Sequence, residues 1–281
     1  MEAALIMESI FRCPICRNPL YDDGKSLVCC NRHSFDKAAQ GYVHLLTSNK
    51  MNSKLPGDSR EMVAARTSFL SLGFYQPFRD GLCSIVCENL KGKERPVLLD
   101  AGCGEGYYTS ELYRALSQCC TDPVVCGFDI SKFAVKAAAR DKNLSLSVAS
   151  CFDIPIADRS VDALTAVFSP IVPEEFARVV KPGGIMVLAV ASPRHLMGLK
   201  QLLYDTPYEN ERRDTDYQGF RFEGRTEISA EAFLEDNRSI KNLFAMTPYY
   251  WKTSVEGSAR LAAAQSLYTE LGFDLLLYRR I

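Results

Sequence analysis

Val97-Leu98-Leu99-Asp100 is an apolar run closed by an acid, and Ala101-Gly102-Cys103-Gly104-Glu105-Gly106 follows it with three alternating glycines. This pairing constrains the fold more than any other feature of the chain. A short apolar run with a glycine-rich end reads as a buried strand entering a tight turn. There the missing Cβ atoms permit positive φ and let backbone approach a ligand closely. Tyr107-Tyr108-Thr109-Ser110-Glu111-Leu112 then reads as a helix opening onto that ligand. The spacing is G-x-G-x-G, not the G-x-G-x-x-G of a dinucleotide site, and two carboxylates, Asp100 and Glu105, flank it. Acids there would repel a pyrophosphate, whereas they suit a ligand that carries positive charge.

From Pro96 onward strand-like and helix-like segments alternate. Strands are predicted at 124–129, 144–148, 161–168 and 185–191, helices at 132–140 and 174–180, and an edge strand at 272–278. Such alternation implies a parallel sheet covered on both faces, with the ligand beyond the carboxyl ends of its strands. Asp129 ends the second of these strands, where a carboxylate can accept hydrogen bonds from both hydroxyls of a ribose; it also suits the N-cap of the next helix. Turn, acids and alternation together predict an α/β, Rossmann-like domain of the class I methyltransferases that use S-adenosylmethionine (SAM), whose sulfonium and ammonium are cationic. Asp100, Gly102, Gly104, Glu105, Gly106 and Asp129 are its candidate cofactor residues. Asp153, in the loop after the third strand, is placed either against an adenine amino group or in solvent.

Near the N-terminus, Cys13, Cys16, Cys29 and His33 give C-x2-C-x12-C-x3-H. Two close pairs brought together by a hairpin suit tetrahedral zinc, and four protein ligands leave no position for a catalytic water, so the predicted site is structural. Cys30 is an alternative to Cys29. A redox CxxC would need a thioredoxin-like strand and helix around it, which the sequence lacks. The domain plan is a zinc-binding module at 1–50, a helical bridge at 51–92 and the methyltransferase domain at 93–281. In the bridge, 49–57 reads as a linker, Asp58-Ser59-Arg60-Glu61 as a capping box, and 76–90 as a second helix.

Net charge is −1, which gives no global support for nucleic-acid binding, although residues 9–60 hold eight bases against four acids. The 11 cysteines are odd in number and several sit in apolar runs, as core thiols of a reducing compartment do. No signal peptide or membrane span is legible, so a cytoplasmic protein without a membrane partner is expected. His44, among apolar residues, is expected to be packed.

Several further motifs accompany the zinc spacing and the glycine turn in one order along the chain. They are Gly41-Tyr42-Val43-His44-Leu45-Leu46, Pro56-Gly57-Asp58-Ser59, Tyr75-Gln76-Pro77, Pro193-Arg194-His195-Leu196 and Met246-Thr247-Pro248. The set closely resembles the bacterial 23S rRNA guanine-N1 methyltransferases, including relatives linked to macrolide (tylosin) resistance, over almost the whole chain. The resemblance implies a zinc module that helps recognise RNA, 23S rRNA as partner, a possible homodimer, and Tyr75 and His195 as SAM contacts beside the glycine turn. Methylation at guanine N1 requires its proton to leave, and the candidate bases are Asp153, His195 or a bound water. The fold alone leaves two other readings open. One is a small-molecule methyltransferase, which would survive deletion of 1–50; the other is a non-catalytic RNA-binding protein, which would not bind SAM.

Overall fold

The computed structural model describes residues 7–47, 56–212 and 216–281. Most of the predicted linker at 49–57 lies outside the described residues. A small antiparallel sheet comes first, with β1 (Met7–Arg12), β2 (Pro19–Asp22), β3 (Ser26–Val28) and β4 (Ser34–Asp36) in sequential order. After β5 (Val43–His44), helices α1 (Arg60–Leu70) and α2 (Gln76–Leu90) lead into the main α/β layer. Its elements are β6 (Val97–Ala101), α3 (Tyr107–Cys119), β7 (Val124–Asp129), α4 (Lys132–Ala138), β8 (Ser145–Val148), β9 (Val161–Val167), α5 (Pro173–Val179), β10 (Val180–Ala191) and α6 (Met197–Leu203). The chain closes with β11 (Phe220–Leu234), α7 (Asn237–Ala245), a 3-10 turn (Pro248–Trp251), α8 (Val255–Ala263) and β12 (Leu267–Arg280).

The large sheet runs β11-β12-β10-β9-β6-β7-β8-β5. Strands β10 through β5 are mutually parallel, as the alternation implies. Two findings correct the sequence reading. The C-terminal segment is not an edge strand: β12 lies between β10 and β11, antiparallel to both. Its run from Leu271 to Leu276 is buried residue after residue, the pattern of a strand covered on both faces. The true edge is β11, whose outward charges (Arg221, Glu223, Glu227, Glu231) hide its strand character. His44 is exposed on the opposite edge strand rather than packed.

At the start of α1 the cap is Ser59, whose hydroxyl accepts from the Met62 amide at 3.3 Å. Asp58 is thereby free to pair with Arg66 at 2.5 Å. α2 begins and ends where the sequence places it, with Pro77 in its first turn.

One face of the sheet packs on α2, α3, α6 and α7. The other packs on α5 and, unexpectedly for a separate module, on the small sheet: Phe11, Leu20 and Leu27 share a core with Leu99, Phe128, Ile154 and Ile156. Each such side chain contributes about 2 kcal/mol when removed from water. Polar contacts reinforce the seam. The Arg12 amide donates to Pro155 O at 2.9 Å, and Arg17 pairs with the Asp153 carboxylate. No helix among the described residues is long and apolar enough to cross a membrane.

Candidate functional site

The site is built where β6 and β7 end side by side. The amides of Gly102 and Cys103 both donate to Phe128 O at 2.9 Å, which ties the glycine turn to the end of β7. Gly102 has φ of +83°, and a Cβ there would lie 2.5 Å from the Ser169 Cβ, so neither conformation nor space admits a side chain. Gly106, at +86°, is closed in the same way by Ala138. Asp129 then receives the Gly104 amide on Oδ2 at 3.0 Å and the Ser131 amide on Oδ1 at 2.8 Å. Each carboxylate oxygen keeps a second lone pair. Burial raises the Asp129 carboxyl above its ordinary range, opposed by these two amides.

Asp100 lies deeper. It is buried, and its carboxylate accepts from Thr109 Oγ1 at 2.5 Å and Thr165 Oγ1 at 2.8 Å. Burial lifts its pKa to about 6. Glu105 faces Arg66 at 3.7 Å. Arg66 is a site residue that the sequence reading missed; nothing in the local pattern separates it from an ordinary polar position on an amphipathic helix.

Arg66, Asp100, Gly102, Gly104, Glu105 and Asp129 line one cavity of about 670 Å³, in the range that holds a nucleoside-sized ligand together with a second group, whereas Gly106, a candidate cofactor residue, is not in its lining and packs on Ala138 instead. Tyr75 and His195 line it as well. Their rings meet edge to face at 6.4 Å, and Phe273 packs on both, at 4.9 and 4.8 Å. The structure thus brings Tyr75, Asp100, Gly102, Gly104, Glu105, Asp129 and His195 to one cavity. Asp153 is not among its lining residues: the zinc-module guanidinium of Arg17 holds it at the seam, while its neighbours Cys151 and Phe152 line the cavity.

His195 is 6% exposed with Nδ1 unpartnered among the described residues. Burial is the main cause that lowers its pKa to about 3. The imidazole is therefore neutral at physiological pH, with a ring nitrogen open to a ligand. In the unfolded chain a histidine protonates near 6.5, so acidification below that value favours unfolding until the folded pKa is reached. Between pH 7.5 and 5 this costs about 2 kcal/mol. His195→Gln removes that loss: the difference in unfolding free energy between variant and parent, from denaturant titration, shifts in the variant's favour as pH falls. A difference independent of pH would show that the histidine protonates in the folded state.

The second constellation is metal-like. Cys13, Cys16, Cys29 and His33 place one ligand atom each within 4.8 Å of all the others. Cys16 Sγ and Cys29 Sγ are 3.6 Å apart, and His33 Nδ1 is 3.5 Å from Cys13 Sγ and 3.4 Å from Cys29 Sγ. Tetrahedral zinc with ordinary bond lengths has S–S edges of about 3.8 Å and S–N edges of about 3.5 Å, so the donor set fits the ion. Cys30 is exposed beside Asn31, and the clustered donor set includes Cys29 in its place. The cluster is suited to a structural zinc.

Comparison with known proteins finds a family for each part of the chain. A zinc-ribbon profile described as "RlmA, N-terminal" matches residues 11–54, and one described as "Methyltransferase domain" matches 93–238. The chain is 30% identical to the "Putative 23S rRNA (guanine-N(1)-)-methyltransferase YxjB" of Bacillus subtilis (strain 168), over 96% of each chain. It is also 30% identical to the "23S rRNA (guanine(748)-N(1))-methyltransferase" of Streptomyces fradiae, covering 90% of this chain and 89% of that one. A relative from Micromonospora griseorubida shares 31% identity over 92% of each. With its zinc ribbon, its SAM-type glycine turn and relatives matched over nearly their whole length, this chain belongs to the 23S rRNA (guanine-N1)-methyltransferase family.

Proposed function

We propose that the protein transfers a methyl group from SAM to N1 of a guanine in a hairpin of 23S rRNA. The observation that carries this is the continuity of the cavity. It takes in the Gly104–Asp129 turn, Tyr75 and His195 with Phe168 stacked on the imidazole, and a second wall that includes Tyr208 and Tyr249, both against Lys200. Asp129, Glu105 and the glycine turn would hold the cofactor, with Tyr75 and His195 beside it. SAM supplies an electrophilic methyl on a sulfonium. The chain's own contribution is alignment, since displacement needs the two partners in line at contact distance. Buried rings at Tyr75 and Phe273 keep water from that line.

The N1 edge of guanine is hidden in a base pair, so the target is an unpaired or extruded base. Phe152 and Trp251, each 73% exposed, offer faces on which neighbouring bases can stack. Lys25 and Arg32, exposed on the zinc ribbon, would supply phosphate contacts. Of the three candidate bases, Asp153 is engaged at the seam, which leaves the neutral His195 imidazole, with Nδ1 unpartnered among the described residues, or a bound water to take the N1 proton as the N1–CH3 bond forms and the S–CH3 bond breaks. A 23S rRNA substrate implies work in the cytoplasm. The homodimer implied by the family resemblance is checked by sedimentation equilibrium.

Mass mapping of rRNA from strains with and without the gene tests the reading. One N1-methylguanosine in 23S rRNA should vanish on deletion and return on complementation. An unchanged methylation map would sink it.

A further inference from the structure

Lys200 is 0% exposed, on α6, directly behind the second wall of the cavity. Neutral groups hold its ammonium. Nζ donates to Tyr208 O at 2.9 Å and to Asn210 Oδ1 at 2.8 Å, and it lies 4.6 Å from the centre of the Tyr208 ring. Burying a lysine is costly, so a feature this enclosed calls for a reason.

The reason is legible in Asn210. An ammonium has donors and no acceptor, so the amide must turn its oxygen toward Lys200. The nitrogen end is then fixed as well: Nδ2 donates one hydrogen to Ser192 O at 2.8 Å, and the Asn210 backbone amide donates to Pro193 O at 2.8 Å. The second Nδ2 hydrogen has no acceptor among the described residues, and Asn210 lines the cavity. Asn210 thus belongs to the cavity lining with one Nδ2 hydrogen uncommitted among the described residues, on an amide whose orientation is fixed by a buried cation.

Guanine presents an acceptor, O6, beside N1, where adenine presents an amino donor. Loss of the N1 proton also places negative charge on O6, so a donor aimed there strengthens as the reaction proceeds. We propose that Asn210, held in one orientation by Lys200, contacts guanine O6 and thereby selects guanine for methylation. Asn210 is the specificity residue that touches the base, and Lys200 is a positioning residue. The inference rests on the guanine-N1 reading above.

The test uses the full-length protein, SAM and 23S rRNA from a strain lacking the gene. A matched transcript carries 6-thioguanosine, a weaker acceptor, at the mapped nucleotide. Asn210→Ala should lower methylation of guanine about 10²-fold while SAM affinity by calorimetry stays within twofold. The parent's preference for guanine over 6-thioguanine should collapse in this variant. Lys200→Met should do the same, and Lys200→Gln, whose amide can still donate to Oδ1, should recover most of the preference. Should Asn210→Ala fold poorly, Asn210→Asp keeps the shape but turns an acceptor toward O6, and it should lose at least as much. Parent-like rates and preference in Asn210→Ala or Asn210→Asp overturn the proposal. Failure of the parent protein to methylate guanine N1 would instead remove the functional reading beneath it.

Discussion

Asp129→Ala should reduce SAM affinity by at least about 10²-fold, the largest loss expected from any single change in the cofactor half of the cavity. A carboxylate that takes two ligand hydroxyls makes two charge-assisted hydrogen bonds, each contributing about 1.5–3 kcal/mol. The carboxylate is also the internal brace of the turn, because the Gly104 and Ser131 amides both end on it. Alanine leaves both donors without that partner, so the turn itself loosens. Asp129→Asn does not repair this. One end of the amide becomes a donor facing another donor, whichever way it turns. Calorimetric titration with SAM and with S-adenosylhomocysteine, next to a thermal melt to show that the chain still folds, gives the measurement. Unchanged affinity in a folded variant would take Asp129 out of the ribose position.

Although the side chains that close the space, Ser169 and Ala138, come from elsewhere in the chain, the glycine turn was legible because positive φ is a local demand that shows as alternating glycines. The same holds for the zinc ligands, whose spacing reflects two tight turns and a hairpin. What escaped the sequence was set by partners far along the chain. Residues 267–280 look like a terminal strand, and only the insertion of β12 between β10 and β11 explains why it is apolar on both faces. Asp153 sits in a loop at the right depth for an adenine. Its direction is decided by Arg17, 136 residues earlier, whose backbone at φ +63° follows the first pair of zinc ligands. Arg66, Lys200 and Asn210 carry no local mark at all. Arg66 gains meaning only from Glu105 opposite it, and Lys200 and Asn210 only from each other. Tyr75 and His195 were reached through family resemblance, since by residue type alone a tyrosine before a helix and a histidine after a strand are ordinary.

Loss of the zinc site, by Cys13→Ser or by chelation, should abolish rRNA methylation while leaving SAM binding within about tenfold. Four strands of three to six residues cannot bury enough surface to fold alone, so the free energy of metal binding, about 10–16 kcal/mol for comparable sites, is their folding free energy. Without the metal, β1–β4 should melt and withdraw Phe11, Leu20 and Leu27 from the core they share with Ile154 and Ile156. Arg17 would leave Asp153 at the same moment, and the strain would fall on the loop that carries Cys151 and Phe152 to the cavity. That loop has a second anchor. Glu175 Oε2 accepts from the Ile154 amide at 2.7 Å, and Arg178 donates to Ile154 O and to Ile156 O, both at 2.8 Å. Because α5 grips the segment from the other side, the cofactor half should persist while the RNA contacts proposed for the ribbon are lost. Zinc content by metal analysis, SAM affinity by calorimetry and methyl transfer to rRNA, measured on one preparation, separate these effects. If SAM affinity collapses together with the zinc, the ribbon and the methyltransferase domain fold as one unit, and the shared core outweighs the anchor on α5.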